Sequence, residues 1–321
     1  VVSTRTNDAG LYVELTLDDH ERARLRKLWS GPVRFAEPGT TDADDARALA
    51  DADVALGNPR ADRVASASQL RWLQLASVGI DSYLGLDWAL LGRRLTVTNL
   101  GDLFADPVAE SCLAGILALH RGIDELSGLR ARGTWAKPVV RPRLRLLTGA
   151  RVLVLGRGSI ARRLAELLGP FGCAVSHFAR GTGDIRTLAE LDERLPSFDV
   201  VVGLLPGTAE TSGLLDARRL ARLRPGAVLV NAGRGSLVDE DALVAELASG
   251  RLGGAVLDVT EQEPLPSGHP LWTCPNVVLT QHTAGGSDDE SGRVIDLFAE
   301  NRLRYGTGAP LRNTVQWSRG F

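Results

Sequence analysis

One stretch constrains the fold of this chain more than any other. The apolar run Val152-Leu-Val-Leu empties into Gly156-Arg-Gly158-Ser-Ile-Ala161 and then into a helical pattern. A β-prone run, a glycine turn and a helix in direct succession describe one unit of a parallel α/β sheet. Gly156 is expected to permit the tight turn, Gly158 to let a diphosphate approach the backbone, and Ala161 to let the helix sit close on the strand. The helix, expected over 159–168, gathers Ile160, Leu164, Leu167 and Leu168 on one side. Its first N–H groups and the positive end of its dipole then face an anion. The spacing predicts dinucleotide binding, with Gly156, Arg157, Gly158, Ser159 and Ile160 around the phosphates.

The same alternation extends in both directions. In the second half, apolar runs at 151–155, 200–205, 227–231, 255–259 and 277–280 predict buried parallel strands, with helices near 159–168, 216–223 and 239–249. In the first half, runs at 11–15, 33–36, 54–56, 72–76 and 96–98 alternate with helical patterns near 19–28, 42–50 and 62–68. Asp106 as N-cap and Pro107 as first helical residue predict a helix reaching about residue 121. Residues 130–148, rich in Arg, Pro and Gly, read as a loop. A length of 321 residues suits about two such domains.

Composition removes other classes. With 37 basic and 39 acidic residues the formal charge is −2, so nothing electrostatic points to nucleic acid. The longest apolar stretch, 112–119, is too short to span a bilayer, and no charged-then-apolar leader opens the chain. Cys112, Cys173 and Cys274 are scattered without metal-ligand spacing. A reduced, cytoplasmic setting without a metal is the expectation.

The choice of dinucleotide turns on the second strand. An acid about 20 residues beyond the glycine loop binds the ribose hydroxyls of NAD. Here the strand ends Val175-Ser-His-Phe-Ala179-Arg180, with no acid, and Arg180 offers a cation suited to a 2′-phosphate. NADP(H) is therefore favoured and NAD(H) stays open, with His177 near Arg180 or simply packed.

Polar residues recur just beyond predicted strand ends: Pro206, Arg234, Asp258 with Glu263 soon after, and His282. Open parallel sheets bind ligands at that edge, so an arginine, two acids and a histidine are expected in one crevice beside the nucleotide. These types suit hydride transfer to a 2-oxo acid. A guanidinium grips the carboxylate and polarises the carbonyl. A histidine passes a proton to the oxygen, and a carboxylate bonded to that histidine fixes its orientation and favours its protonated form.

The blocks Asn231-Ala-Gly-Arg234-Gly-Ser-Leu-Val-Asp239, Leu257-Asp258-Val-Thr-Glu-Gln-Glu263-Pro264-Leu-Pro and Leu279-Thr-Gln-His282-Thr-Ala-Gly resemble the D-2-hydroxyacid dehydrogenase family. So do Ala76-Ser-Val-Gly-Ile-Asp81, Pro107-Val-Ala-Glu110 and Gly133-Thr-Trp135, so that the resemblance covers nearly the whole chain. It implies two Rossmann-like or flavodoxin-like doubly wound α/β domains with an active-site cleft between them. Residues 1–98 plus 287–321 would form the substrate domain and 99–286 the dinucleotide-binding domain. It also implies Arg234 as carboxylate binder, His282 as acid and base, Glu263 as its partner, and the backbone of Ser77, Val78 and Gly79 as a further substrate contact. The cofactor would lie along the phosphate loop, Ala179, Arg180, Leu205, Pro206, Thr211, Ala232, Gly233, Arg234, Asp258, His282, Ala284 and Gly285, with Asp258 on the carboxamide.

A homodimer built on the helix from Pro107 and the arm around Trp135 is implied as well. Three positions depart from the family pattern: Ala179 for a frequent acid, Gln281 for a common proline, and Thr260 for a common aromatic. The end at Phe321 points away from the longer, feedback-regulated phosphoglycerate dehydrogenases. The leading expectation is an NADPH-favouring reductase of small 2-oxo acids. A nucleotide-sensing binding protein, and a dehydrogenase of the formate or phosphite type, are the alternatives.

Overall fold

The computed structural model describes residues 9–317. Residues 1–8 and 318–321, which the range expected for the substrate domain includes, lie outside the described residues. The chain divides into two units, Val1–Leu103 with Ser287–Phe321, and Phe104–Gly286. Residues 99–103 thus group with the first unit and not, as the sequence suggested, with the second. The reason is local. Leu100 donates its N–H to the Ser77 carbonyl at 3.1 Å, and the Asn99 side chain donates to the Val78 carbonyl at 2.9 Å.

The first unit holds a parallel sheet of β1 (Leu11–Glu14), β2 (Val33–Phe35), β3 (Val54–Gly57), β4 (Trp72–Gln74) and β5 (Thr96–Thr98), in the order β2-β1-β3-β4-β5. Helices Asp19–Leu28, Asp42–Ala50 and Ala61–Ser66 provide the crossovers. The first starts with a capping box, Asp18 accepting from the Glu21 N–H and Glu21 reaching back to the Asp18 N–H, which satisfies two orphan donors. Strands β1 and β3 are almost wholly buried, as a sheet covered on both faces requires.

Sequence periodicity did not reveal the closing helix, Glu290–Thr307. Phe298 stacks on Trp72 with ring centroids 5.0 Å apart, and Asn301 reaches a fully buried polar network. There Asn301 Nδ2 donates to Gln74 Oε1 at 3.0 Å, Thr98 Oγ1 donates to the same oxygen at 2.7 Å, and Trp72 Nε1 donates to Thr98 Oγ1 at 2.9 Å. Polar groups in such a place cost stability unless every partner is met, so the network selects this docking of the helix over others.

The second unit is a six-stranded parallel sheet: β6 (Arg151–Leu155), β7 (Ala174–Phe178), β8 (Val200–Gly203), β9 (Val228–Asn231), β10 (Gly254–Leu257) and β11 (Val277–Leu279). Their order is β11-β10-β9-β8-β6-β7. Alternation sorts the strands into two cores. Leu153, Val201, Leu229 and Ala255 face one layer, while Val152, Val154, Val202, Val230 and Val256 face the other. Each fully buried side chain of this size contributes roughly 1.5–3 kcal/mol. The chain leaves β6 for β7 on one side and then crosses to β8 on the other. That reversal opens a crevice at the carboxyl end of β6, the place where doubly wound sheets bind ligands.

Two sequence expectations require correction here. The helix expected from Asp106 spans Ala105–His120, with Phe104 at its start and no side-chain cap. Asp106 sits inside the first turn and accepts from Arg163 Nε at 2.6 Å. Pro107 fits because first-turn residues have no intrahelical N–H bond to lose. Residues 130–148 are not a plain loop either. They take in the end of helix Ile123–Ala131, a short helix at Lys137–Val140 and a 3₁₀ turn at Arg141–Arg143. No helix among the described residues is long and apolar enough to cross a membrane.

Candidate active site

The phosphate loop follows β6. Gly156 adopts φ +124, closed to most side chains, and donates its N–H to the Phe178 carbonyl at 2.9 Å. A Cβ there would meet the Leu204 carbonyl oxygen at 3.1 Å. Gly158 precedes helix Ser159–Leu168 and offers no side-chain cap, and a Cβ on it would meet nothing within 4 Å. The helix therefore starts with open donors beside open space, while Ala161, Leu164 and Leu168 bury its other face. An uncapped helix start with room for a diphosphate fits a dinucleotide.

Other residues expected near the nucleotide fall around this loop. Arg157 donates to the Thr182 carbonyl. His177 turns to the loop itself, its Nδ1 lying 3.1 Å from the Gly156 carbonyl oxygen. Ala179 follows β7, and the exposed Arg180 beside it pairs with Glu210 at 2.6 Å. An acid thus reaches this corner from the loop after β8, a placement that strand spacing could not reveal. In that loop Leu205 and Pro206 are half-buried. The Thr211 hydroxyl donates to the Pro206 carbonyl at 2.6 Å and closes the loop on itself.

The loop after β9 carries Ala232, Gly233 and Arg234. Ala232 donates its N–H to the Gly203 carbonyl at 3.1 Å, and a side chain at Gly233 would press on the Leu205 carbonyl oxygen at 2.7 Å. Arg234 is half-buried, with Nη1 donating to the Gly233 carbonyl at 2.8 Å. Its backbone carbonyl accepts from Asn231 Nδ2 at 2.9 Å, which fixes the turn.

Asp258 directly follows β10 and is buried. Its Oδ1 accepts from Thr280 Oγ1 at 2.6 Å and from the N–H groups of Thr283 and Ala284 at 2.9 and 3.0 Å. Its carbonyl accepts the His282 N–H at 2.5 Å. One residue thereby holds both flanks of the histidine, and Ala284 is drawn into the core while a Cβ on Gly285 would meet the Phe104 ring at 3.3 Å. Gln281 and His282 both adopt left-handed backbone, φ +55 and +58. Such strain persists only where the surroundings impose it, and these bonds do so. Proline holds φ near −65°, so the family's common proline is incompatible with this conformation of residue 281.

His282 Nδ1 lies 2.7 Å from Glu263 Oε2, and Glu263 Oε1 accepts the Thr260 N–H at 3.1 Å. The His282 side chain is 56% exposed, with Nδ1 taken up by Glu263. Glu263, His282, Asp258 and Arg234 all belong to the second unit. Ser77, Val78 and Gly79 belong to the first, on the turn after β4. Ser77 Oγ donates to the Gly79 carbonyl at 2.8 Å, while among the described residues no acceptor takes the N–H of Val78 or Gly79.

Residues 113–284 match the family described as D-isomer specific 2-hydroxyacid dehydrogenase, NAD binding domain. The chain is 32% identical over 314 residues to a hydroxyphenylpyruvate reductase of Plectranthus scutellarioides, with 95% of each chain covered. It is 33% identical over 250 residues to a glyoxylate reductase of Thermofilum pendens, covering 74% of this chain and 72% of that one. Among solved structures, a D-isomer specific 2-hydroxyacid dehydrogenase from Xanthobacter autotrophicus Py2, in complex with NADPH and MES, aligns with a TM-score of 0.79 at 30% identity. That alignment covers 98% of this chain and 100% of the other.

Proposed function

Since this chain belongs to the D-isomer specific 2-hydroxyacid dehydrogenase family, and so to the NAD(P)-dependent oxidoreductases of 2-hydroxy acids, we propose that it interconverts small 2-oxo acids and D-2-hydroxy acids with NADPH as the favoured donor. The observation that carries this reading is the His282–Glu263 pair at 2.7 Å, held by Asp258 in the same unit as an uncapped nucleotide helix. Glyoxylate, hydroxypyruvate and phenyl- or alkyl-substituted 2-oxo acids are the candidate substrates.

The bound nicotinamide supplies the hydride. Gly156 to Ile160 hold the diphosphate, Asp258 meets the carboxamide, and the segments at Leu205–Pro206, Ala232–Gly233 and Ala284–Gly285 line the cofactor. Arg234 takes the substrate carboxylate in charge-assisted hydrogen bonds and polarises the adjacent carbonyl. As the carbonyl carbon receives hydride, its π pair moves to oxygen, which takes the proton from His282 Nε2. Glu263 aims the ring through its 2.7 Å contact with Nδ1. In the oxidation direction the same nitrogen accepts the hydroxyl proton.

NADPH preference rests on Arg180. Its partner Glu210 is 68% exposed, and an exposed ion pair is worth little, so a 2′-phosphate with nearly two charges displaces the carboxylate. Arg180→Ser is expected to weaken NADPH binding about tenfold or more while leaving NADH within about twofold, as loss of a charge-assisted hydrogen bond implies. Titration of each cofactor checks this, and equal losses for both would remove Arg180 from the phosphate site.

The oligomer is proposed to be a homodimer. Trp135, Leu146, Val139 and Ile123 are 88%, 71%, 63% and 56% exposed, an apolar surface along one segment of the kind that association covers. Light scattering is expected to give twice the 34.3 kDa chain mass, and a single-chain mass at micromolar concentration would refute the dimer.

A further inference from the structure

The geometry points to Glu240 as a positioning residue that sets Glu263, and through it His282, by holding the peptide between Thr260 and Glu261. This rests on the reading of Glu263 and His282 as the proton-transfer pair. Glu240 directly follows the N-cap Asp239 of helix Glu240–Ala248. Acids in a first helical turn serve the dipole and normally stay in water. Glu240 is instead only 8% exposed.

Its carboxylate has specific partners. Oε1 accepts the Glu261 N–H at 2.6 Å, and Oε2 lies 3.7 Å from His269 Nε2. His269 Nδ1 accepts the Leu271 N–H at 3.3 Å, so the neutral ring carries its proton on Nε2, facing Glu240. Burial pushes the Glu240 carboxyl above the ordinary glutamate range, and Glu261 and Asp241 add to that, against the Glu261 N–H and His269. Carrying a buried carboxylate is costly, and here it is spent on one backbone N–H of the turn that leads to Glu263.

The same peptide is gripped from a second side. A Cβ on Gly235, next to Arg234, would fall inside the contact distance of the Thr260 carbonyl and the Glu261 nitrogen. The turn that carries Arg234 therefore abuts the peptide that Glu240 holds. Thr260, whose carbonyl belongs to that peptide, also binds the turn through its other groups: its N–H donates to Glu263 Oε1 at 3.1 Å and its Oγ1 to the Gln262 carbonyl at 2.8 Å, and Glu263 Oε2 meets His282 at 2.7 Å. Glu263 is 37% exposed, so the turn rather than surrounding packing decides where its carboxylate sits. Glu240 indexes the substrate-binding arginine and the partner of the acid–base histidine to one peptide.

Reach and charge are separated by two conservative variants. Glu240→Gln keeps an oxygen at Glu261, whereas Glu240→Asp keeps the charge and withdraws it by about 1.5 Å, one C–C bond. The expected result is kcat within about threefold of the parent for Glu240→Gln and down about tenfold or more for Glu240→Asp, since small misplacements of reacting groups are costly. The dissociation constant of NADPH should stay within about twofold in both, because cofactor binding does not depend on Glu263. Parent-like kcat in Glu240→Asp would overturn the assignment. Equal impairment of both variants, or a matching loss of cofactor binding, would overturn it too, by giving the role to the charge or to the fold. His282→Ala assayed alongside separates the premise: an active His282→Ala removes the acid–base reading itself, whereas an inactive one beside a normal Glu240→Asp removes only the role of Glu240.

Discussion

His282→Ala is expected to lower turnover by about 10²–10⁴-fold, the usual worth of a placed general acid, while cofactor affinity stays within about twofold. The expectation follows from how the ring is held. Nδ1 is engaged by Glu263 at 2.7 Å, and the flanking backbone is tied to Asp258 through the His282, Thr283 and Ala284 N–H groups. A ring fixed in this way presents Nε2 in one direction, and alanine removes the proton without removing the loop. Glu263→Gln should fall between the parent and His282→Ala, since an amide oxygen still aims the ring but lacks the carboxylate's charge-assisted hydrogen bond. Near-normal turnover in His282→Ala would assign proton transfer to another group.

Arg234→Ala is expected to reduce kcat/KM by about 10²–10⁴-fold, with KM raised and kcat lowered together. Two hydrogen bonds to a charged group are worth roughly 1.5–3 kcal/mol each, which converts to a loss of that order. Both constants should move because the guanidinium binds the carboxylate in the ground state and polarises the carbonyl as charge grows on oxygen. Arg234→Lys should recover little, since a point charge cannot reproduce the planar fork. An unchanged dependence of rate on 2-oxo acid concentration would refute the carboxylate clamp.

The parts of the molecule that the chain announces are those in which local pattern and tertiary role coincide. β6 and the helix from Ser159 are legible because apolar alternation, Gly156 and the small Ala161 all serve one unit. Several strands end one or two residues before their apolar runs do: Leu204 and Leu205 continue the run of β8 but belong to the ligand-edge loop. Helix Glu290–Thr307 buries an apolar face of Val294, Ile295, Leu297 and Phe298, but the network of Asn301, Gln74 and Thr98 that fixes its docking joins residues far apart in sequence and is not readable from spacing. In the site, Arg234, Glu263 and His282 are legible as polar residues beyond strand ends. Glu240 was not, because an acid after an N-cap is ordinary, and only the fold turns it onto the Glu261 N–H. Glu210 was equally silent, since nothing in its own loop announces a pairing with Arg180.

The most direct test is the initial rate of reduced-cofactor oxidation by the purified protein, comparing NADPH and NADH with glyoxylate, hydroxypyruvate and phenylpyruvate. Turnover with at least one of these acids, faster per cofactor affinity with NADPH than with NADH, is the predicted result. Folded protein that binds NADPH yet oxidises it with none of the three, while reducing NADP⁺ or NAD⁺ with formate or phosphite, would contradict it.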